Sequence, residues 1–100
     1  MRKVRKDWYP NGNLWYIDSF KDGKRDGMRE EWNENGRLAF SANYKNGKLD
    51  GILERRYENG RLEFRANYKD GVLDGVYEEW YDNGTPYIIA KYKDGKLIRN

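Results

Sequence analysis

Residues 57–71 read YENGRLEFRANYKDG, two glycine turns separated by a run in which apolar and polar residues alternate. Leu62, Phe64, Ala66 and Tyr68 take every second position, so in a β-strand they lie on one face, with polar side chains on the other. Asn-Gly and Asp-Gly tolerate positive φ, and an Asn-Gly flanked by such alternation is a strong hairpin signal. The stretch predicts an antiparallel β-hairpin.

This pattern recurs along the chain at a step of 24 residues. Two series of turn glycines keep the step: Gly12, Gly36, Gly60 and Gly84, and Gly23, Gly47, Gly71 and Gly95. Self-similarity of this kind indicates a repeat architecture, in which neighbouring units stack in place of a deep core. We predict one domain over 1–100 with four 24-residue units, at about 5–28, 29–52, 53–76 and 77–100.

The predicted fold is all-β. No segment has a helical period, and the glycine spacing would interrupt any helix longer than about ten residues. Tandem antiparallel β-hairpins are expected to form an elongated, twisted single-layer meander sheet with no helices, its apolar row on one face.

The strand before each Asn-Gly turn has two possible registers. If the turn is type I with a glycine bulge, we expect Val4, Lys6 and Trp8 and their repeats to join the apolar face. These repeats are Met28, Glu30 and Trp32; Ile52, Glu54 and Arg56; and Val76, Glu78 and Trp80. A two-residue type I′ turn would instead bring Tyr57, Tyr77 and Tyr81 onto that face, and the alternation alone leaves both registers open.

Composition argues against catalysis. The chain has no His and no Cys, and its hydroxyl residues other than tyrosine are Ser19, Ser41 and Thr85, so serine triads and thiol chemistry are excluded. Glu30 and Glu54 belong to a repeated carboxylate row, for which we expect cross-strand pairing with basic neighbours and not acid–base or cation chemistry. We therefore expect a non-catalytic protein without cofactor or metal.

Three segments carry a resemblance to a known family. Residues 20–27 read FKDGKRDG, 44–51 read YKNGKLDG and 68–75 read YKDGVLDG, and each resembles the membrane occupation and recognition nexus (MORN) repeat. The resemblance implies a non-catalytic β-hairpin array used as a scaffold for protein partners, sometimes proposed to touch anionic phospholipid. The 24-residue step with its added Asn-Gly resembles the bacterial variant of the repeat, which includes antitoxin-like proteins.

The end repeats carry the predicted partner-binding residues. Trp15 and Ile17 in the first repeat, and Tyr87 and Ile89 in the last, occupy positions expected on the polar face, where the middle repeats have small or polar residues. We predict that these aromatic patches bind a protein partner or a second copy of the chain. The alternative is that they are covered as caps by the chain ends. Three further candidates extend the patches: Tyr57, Tyr77 and Tyr81.

An open sheet also leaves two edge strands, which favour a homo-oligomer. Basic residues offer a different partner, because lysines recur at two repeat positions: Lys21, Lys45, Lys69 and Lys93, and Lys24, Lys48 and Lys96. Such a ladder suits an anionic lipid surface, although acidic neighbours reduce its field, and nucleic acid is an unlikely partner for a net charge of +3.

The expected location of the chain is the cytoplasm. The basic N-terminal segment is not followed by an apolar run that a signal peptide or a membrane span would need. The expectation would change if a signal or lipid-anchor segment had been removed from a longer precursor.

Overall fold

A computed structural model describes residues 1–99, so Asn100, where the predicted fourth unit ends, lies outside the described residues. Residues 1–99 form eleven β-strands. They are β1 (Arg2–Trp8), β2 (Leu14–Lys21), β3 (Lys24–Arg25), β4 (Gly27–Trp32), β5 (Leu38–Lys45), β6 (Lys48–Leu49), β7 (Gly51–Arg56), β8 (Leu62–Lys69), β9 (Val72–Trp80), β10 (Pro86–Lys93) and β11 (Lys96–Leu97).

All strands belong to one open antiparallel sheet in which each long strand pairs with the next along the chain. The molecule measures 47 × 36 × 10 Å. The smallest dimension, 10 Å, corresponds to the thickness of a single layer. None of the described residues is helical, so they include no helix that could cross a membrane. The predicted all-β meander is confirmed.

The Asp-Gly turns are type I′. Asp22 and Gly23 have φ values of 51° and 82°, and the flanking Lys21 and Lys24 pair directly across the turn. Mirror-image turns match the twist of the strands they join, and only residues that accept positive φ can form them. The Asn-Gly or Asp-Gly dipeptide at this position thus fixes the hairpin.

The Asn-Gly turns are type I with a glycine bulge. In the third repeat the Gly60 amide donates to the Tyr57 carbonyl at 2.9 Å, and the Tyr57 amide donates to the Arg61 carbonyl at 2.9 Å. Gly60 has a φ of 90°, as the bulge position requires. Of the two predicted turns, the structure contains the first.

The register that we expected from this turn is nevertheless wrong, because a second bulge follows it. Trp8 pairs with Leu14 but Asp7 pairs with Tyr16, so Trp15 has no opposite residue. The same extra residue recurs at Ala39, Glu63 and Tyr87. Since one inserted residue reverses every side chain beyond it, the preceding strand meets its partner with the opposite face.

The second bulge corrects eight predicted positions. Val4 and Lys6 pair with Ser19 and Ile17, away from the apolar row. The equivalent residues of the later repeats are also on that opposite face: Met28, Glu30, Ile52, Glu54, Val76 and Glu78. The residues beyond the bulge pair with the first residue of the following strand: Trp8 with Leu14, Trp32 with Leu38, Arg56 with Leu62 and Trp80 with Pro86.

We call the two sides of the sheet the aromatic face and the polar face. The aromatic face carries the apolar row of β2, β5, β8 and β10, namely Tyr16, Phe20, Phe40, Tyr44, Phe64, Tyr68 and Tyr92, with their small neighbours. The polar face carries Ser41, Asn43, Arg65 and Asn67 with their cross-strand partners.

The core is thin and lies within the aromatic face. Ala42 and Ala66 have no exposed surface, and Asp18, at the equivalent position of the first repeat, is 2% exposed. No large side chain among residues 1–99 is fully buried. Burial of small residues under half-buried aromatic rings is what a single layer permits, because no second sheet or helix of the described part of the chain covers either face.

Candidate functional site

The aromatic face extends over all four repeats, and arginines cover part of it. The Arg29 guanidinium lies 5.0 Å from the Tyr16 ring centre, and that of Arg55 lies 5.6 Å from the Phe40 ring centre. Arg25 lies between the rings of two repeats, 5.9 Å from Phe20 and 5.6 Å from Tyr44. Arg5 is 5.7 Å from Phe20. These distances are within the range of cation–π attraction.

Sequence reasoning missed these arginines. Arg5, Arg29 and Arg55 lie on strands whose facing depends on the bulge after each Asn-Gly turn, and the expected register had turned them to the polar face. Arg25 instead pairs with Phe20 beside a type I′ turn. The 24-residue spacing gives no direct signal for this bulge, because the bulged residue occupies the same position in every repeat and does not change the spacing. Only cross-strand register reveals it.

The aromatic face changes character along the array. One repeat position holds Arg5 and Arg29 in the first half but Leu53 and Tyr77 in the second. A second position changes from Arg25 to leucine, at Leu49, Leu73 and Leu97. The Tyr77 ring packs 5.1 Å from Phe64 and 5.6 Å from Tyr92. The first two repeats therefore present arginines among aromatic rings, and Arg55 continues this pattern into the third repeat. The leucines and Tyr77 make the rest of the last two repeats more apolar.

Carboxylates neutralise some of the arginines. Asp18 accepts from Arg29 at 2.6 Å and from Arg25 at 3.1 Å through the same oxygen, and Glu31 lies 3.0 Å from Arg29. Arg5 and Arg55 are exposed, and neither forms an ion pair with any residue in the described range. These two guanidinium groups are the free positive charges on the aromatic face.

The first-repeat candidates are divided between the two faces. The Trp15 ring contacts Tyr16 edge-to-face at 5.3 Å and lies 5.8 Å from the Tyr9 ring. Consecutive residues on a regular strand point to opposite faces, so this contact exists because Trp15 occupies the bulge. Trp15 is 41% exposed on the aromatic side, not on the polar face as expected. Ile17, paired with Lys6, does lie on the polar face.

The last-repeat candidates include a tyrosine cluster around Glu79. The Tyr87 hydroxyl donates to one Glu79 oxygen, and the Tyr77 hydroxyl donates to the other at 2.8 Å. The Tyr81 ring lies 4.6 Å from Tyr87. Tyr87, expected on the polar face, is thus on the aromatic side, again because it is the bulged residue. Ile89 is 65% exposed on the polar face.

Hydrogen bonding sets the protonation of this cluster. The hydrogen bond from Tyr87, which has the largest effect, and the one from Tyr77 lower the pKa of Glu79. The same bond to the carboxylate raises the pKa of Tyr87 to about 12 and also raises the pKa of Tyr77. A carboxylate that accepts two phenol hydrogen bonds stays ionised, and its donors resist losing their protons.

Tyr57 has a structural position. Its hydroxyl donates to the Trp80 carbonyl of the next repeat at 2.6 Å, as the Tyr9 hydroxyl does to Trp32. The candidates in β2 and those in β10 are six strand steps apart, about 29 Å at a spacing near 4.8 Å per step. The structure therefore forms two separate end patches, and it does not bring the seven predicted residues together.

The predicted lysine ladder follows the row of type I′ turns, where one end of every hairpin lies. Every lysine in it flanks a type I′ turn and is exposed. Successive turns touch, since the Gly47 amide donates to the Arg25 carbonyl at 2.8 Å and the later repeats keep this bond. Acidic groups lie beside the ladder: Asp74 is 3.7 Å from Lys93. Asp26 accepts from the Asn46 amide and from Arg2, which lowers its pKa.

Two glutamates of the row on the polar face, Glu54 and Glu78, lie close to arginines. Glu54 lies 2.8 Å from Arg65 and 3.9 Å from Arg56, and Glu78 is 4.0 Å from Arg65. Within residues 1–99 no group of three or more carboxylates is arranged to hold a metal ion.

The comparisons with known proteins agree with this repeat geometry. The family model described as "MORN repeat variant" matches residues 3–22, 25–46, 49–70 and 73–98, which is nearly the whole chain, although it divides the chain at other points than the predicted units. Neither the curated proteins nor the solved structures include a match to this chain. MORN repeats are non-enzymatic interaction modules for protein or membrane lipid. The chain belongs to the MORN repeat variant family.

Proposed function

We propose that this chain is a non-catalytic scaffold that binds a protein partner through its aromatic face. The observation that carries the proposal is that a continuous row of half-buried aromatic rings crosses all four repeats with no layer over it. Aromatic residues and arginine are enriched in the centres of protein interfaces, because they bury large areas with little loss of side-chain entropy.

The distribution of charge on the face describes the partner. Arg5 and Arg55 are free to pair with carboxylates, and the arginine fork binds a carboxylate through two parallel hydrogen bonds. Leu53, Tyr77 and Leu73 offer only apolar contact in the second half. We expect a partner that places acidic side chains against Arg5 and Arg55 and apolar ones against Leu53, Leu73 and Tyr77. Neutralisation of a toxin, which the antitoxin-like members of the variant suggest, is one form of such binding.

A charge reversal tests the proposal with a matched control. Arg55→Glu reverses a free charge on the aromatic face, and Arg61→Glu makes the same change at an exposed Asn-Gly turn. After circular dichroism has shown that both variants are folded, each is used with the native chain to capture proteins from an extract of the source cells. We expect a protein retained by the native chain and by Arg61→Glu to be lost with Arg55→Glu. Equal retention by all three chains would refute binding through this face.

A second candidate function is supported by the lysine ladder, whose members are exposed beside the row of type I′ turns. A row of lysines at the repeat spacing fits the phosphates of an anionic membrane surface, and each lysine near such a surface contributes about 1 kcal/mol. Co-sedimentation with phosphatidylserine vesicles tests this candidate, with phosphatidylcholine vesicles as the control. Binding to the anionic vesicles that disappears as salt rises would support it. Absence of binding at low salt would exclude it.

A further inference from the structure

A row of directly opposed residues crosses the aromatic face from β5 to β10. The row contains, in this order, Phe40, Arg55, Phe64, Glu79 and Ile88. Glu79 is half-buried and lies on β9, with a strand on each side. A carboxylate at this place has an apolar neighbour in both directions along the row, so its direct neighbours do not compensate its charge.

The same arrangement two repeats earlier contains a guanidinium group. Glu31 lies opposite Tyr16 on the neighbouring strand. Glu79 lies opposite Phe64, which is the repeat equivalent of Tyr16. The Arg29 guanidinium is 5.0 Å from the Tyr16 ring centre and 3.0 Å from the Glu31 carboxylate, so it contacts the ring and the charge together. The repeat thus builds a site in which an aromatic ring and a carboxylate bind one guanidinium.

The last repeat has the ring and the carboxylate without the guanidinium. Tyr77 takes the repeat position of Arg29, and its hydroxyl donates to Glu79 at 2.8 Å. This hydroxyl replaces the hydrogen bond of the arginine but not its positive charge. Within residues 1–99, the Glu79 side chain accepts hydrogen bonds from Tyr77 and Tyr87 alone and forms no ion pair. Both bonds lower its pKa, so the carboxylate is ionised at neutral pH and lacks a cation.

Arg55 does not supply that cation, although it belongs to the same row. Its guanidinium lies 5.6 Å from the ring centre of Phe40, on β5, whereas Glu79 is in the other direction along the row. Arg55 and Glu79 are two strand steps apart, which is about 10 Å. The two opposite charges are therefore separate, and each is available to a different group of a partner.

We propose that Glu79, with the rings of Phe64 and Tyr77, binds an arginine side chain of the protein partner. Each oxygen of a carboxylate has a lone pair beyond the one that its tyrosine occupies, so a guanidinium can donate to both oxygens through two parallel hydrogen bonds. The planar cation can also lie over an aromatic ring, as that of Arg29 does at Tyr16. The partner supplies the arginine that the chain itself supplies two repeats earlier.

This inference rests on the proposed function, because it takes the aromatic face as the surface that the partner covers, and it adds the chemistry of one contact. The partner must place an acidic side chain at Arg55 and an arginine at Glu79, about 10 Å apart. An apolar group of the partner then lies over Phe64, between the two charges. Opposite charges at a fixed separation also determine the orientation of the partner along the row.

A small guanidinium probe tests the site without the partner. The probe is N-acetylarginine methylamide, and the control is its neutral isostere, N-acetylcitrulline methylamide. Amide chemical shifts of the isotope-labelled chain are followed as each compound is added. We expect saturable shifts around Glu79 with the arginine probe and none with the citrulline control. The chain has a net charge of +3 and so no general attraction for a cation. Equal shifts with both compounds, or no saturable shift around Glu79, would overturn the proposal.

Two variants identify the groups that bind the probe. Glu79→Gln removes the charge and is expected to weaken binding of the arginine probe by about tenfold or more. Tyr77→Arg restores the arginine of the second repeat, which then pairs with Glu79 within the chain, so the probe should no longer bind although the carboxylate is retained. The matched control is Glu31→Gln, because Glu31 is already paired with Arg29, and it should bind the probe as the native chain does.

The same spectra show whether each variant is folded. Undiminished binding by Glu79→Gln or by Tyr77→Arg, or an equal loss in Glu31→Gln, would each contradict an arginine site at Glu79. The titration uses only the purified chain and the probe. Its failure would therefore overturn this inference alone, whereas a partner that is still captured by Arg55→Glu would refute the proposed function and leave the titration unchanged.

Discussion

Asp18 and Arg29 form an ion pair at the two positions that Ala42 and Leu53 occupy in the next repeat. The Arg29 guanidinium lies 2.6 Å from the Asp18 carboxylate, whose second oxygen, Oδ1, is buried without a hydrogen-bond partner among the described residues. The alanine position of the repeat therefore accepts a carboxylate only because arginines approach it. The same two positions of the repeat therefore hold either a charged pair, Asp18 and Arg29, or two apolar residues, Ala42 and Leu53.

Replacing the pair by its counterparts from the next repeat is expected to be harmless, although replacing Arg29 alone is not. Arg29→Leu leaves the buried Asp18 carboxylate with Arg25 as its only partner, and we expect a loss of about 2–3 kcal/mol in unfolding free energy. Asp18→Ala with Arg29→Leu is expected to be within about 1 kcal/mol of the native chain or more stable. Urea unfolding of both variants measures the difference. If the double variant were as unstable as Arg29→Leu, the claim that the apolar residues can replace the ion pair without loss of stability would be contradicted.

Asn33 is a natural interruption of a tyrosine series and predicts a stabilising substitution. Tyr9 and Tyr57 donate to the carbonyl 23 residues later, but Asn33 takes this position in the second repeat and its Nδ2 is buried without a partner among residues 1–99. Asn33→Tyr would reach the Arg56 carbonyl and is expected to raise the unfolding free energy by about 1 kcal/mol. Asn33→Phe, which lacks the hydroxyl, is the control. Equal unfolding midpoints for the two variants would show that no such bond forms.

Two glycines with positive φ are expected to differ in their tolerance of a side chain. Gly12 has a φ of 91° and open space around an added Cβ, whereas at Gly75, with a φ of 121°, a Cβ would lie 2.7 Å from the Asn67 amide nitrogen. Both alanine substitutions are strained, by about 1 kcal/mol at Gly12. Gly75→Ala should cost clearly more, because Asn67 must also move. Thermal unfolding of the two variants gives the order, and an equal cost would contradict the packing described at Gly75.

Alkaline pH is expected to weaken the tyrosine cluster of the last repeat. The pKa of Tyr87 is raised to about 12 by its bond to Glu79. Its contribution to stability is therefore complete below pH 10, the ordinary tyrosine value, and is lost as pH rises toward 12. Glu79, whose pKa is lowered, contributes above its ordinary range and loses that contribution in acid. In an ultraviolet tyrosinate titration, Tyr87→Phe should lack the phenol that titrates last; an unchanged curve would contradict the hydrogen bond.

The sequence was sufficient to predict the class and order of the fold. Glycine dipeptides at a fixed step specify where the chain turns, and the Asp22-Gly23 pair specifies the turn type through its positive φ. Alternation between the turns specifies which residues of β2, β5, β8 and β10 share a face. These signals are local, so they can be read without the rest of the molecule.

The composition of the aromatic face was less predictable, because it depends on pairing between strands. The bulge at Trp15 and its repeats has no composition of its own, since Trp15, Ala39, Glu63 and Tyr87 are four different residues. The inserted residue of each repeat turned Arg5, Arg29 and Arg55 to the aromatic face and placed Trp15 and Tyr87 on the same side of the sheet. Pattern alone identified the exposed end residues, but their facing is a property of the whole sheet.

Site-specific photo-crosslinking tests most directly whether the aromatic face is the binding surface. A benzophenone amino acid is introduced at Phe40, at the centre of the aromatic face, and in a matched protein at Ile52, on the polar face. After irradiation in an extract of the source cells, we expect a discrete protein adduct from position 40 and none from position 52. An adduct from position 52 alone, or none from either position when the partner is captured by the native chain, would contradict binding through the aromatic face.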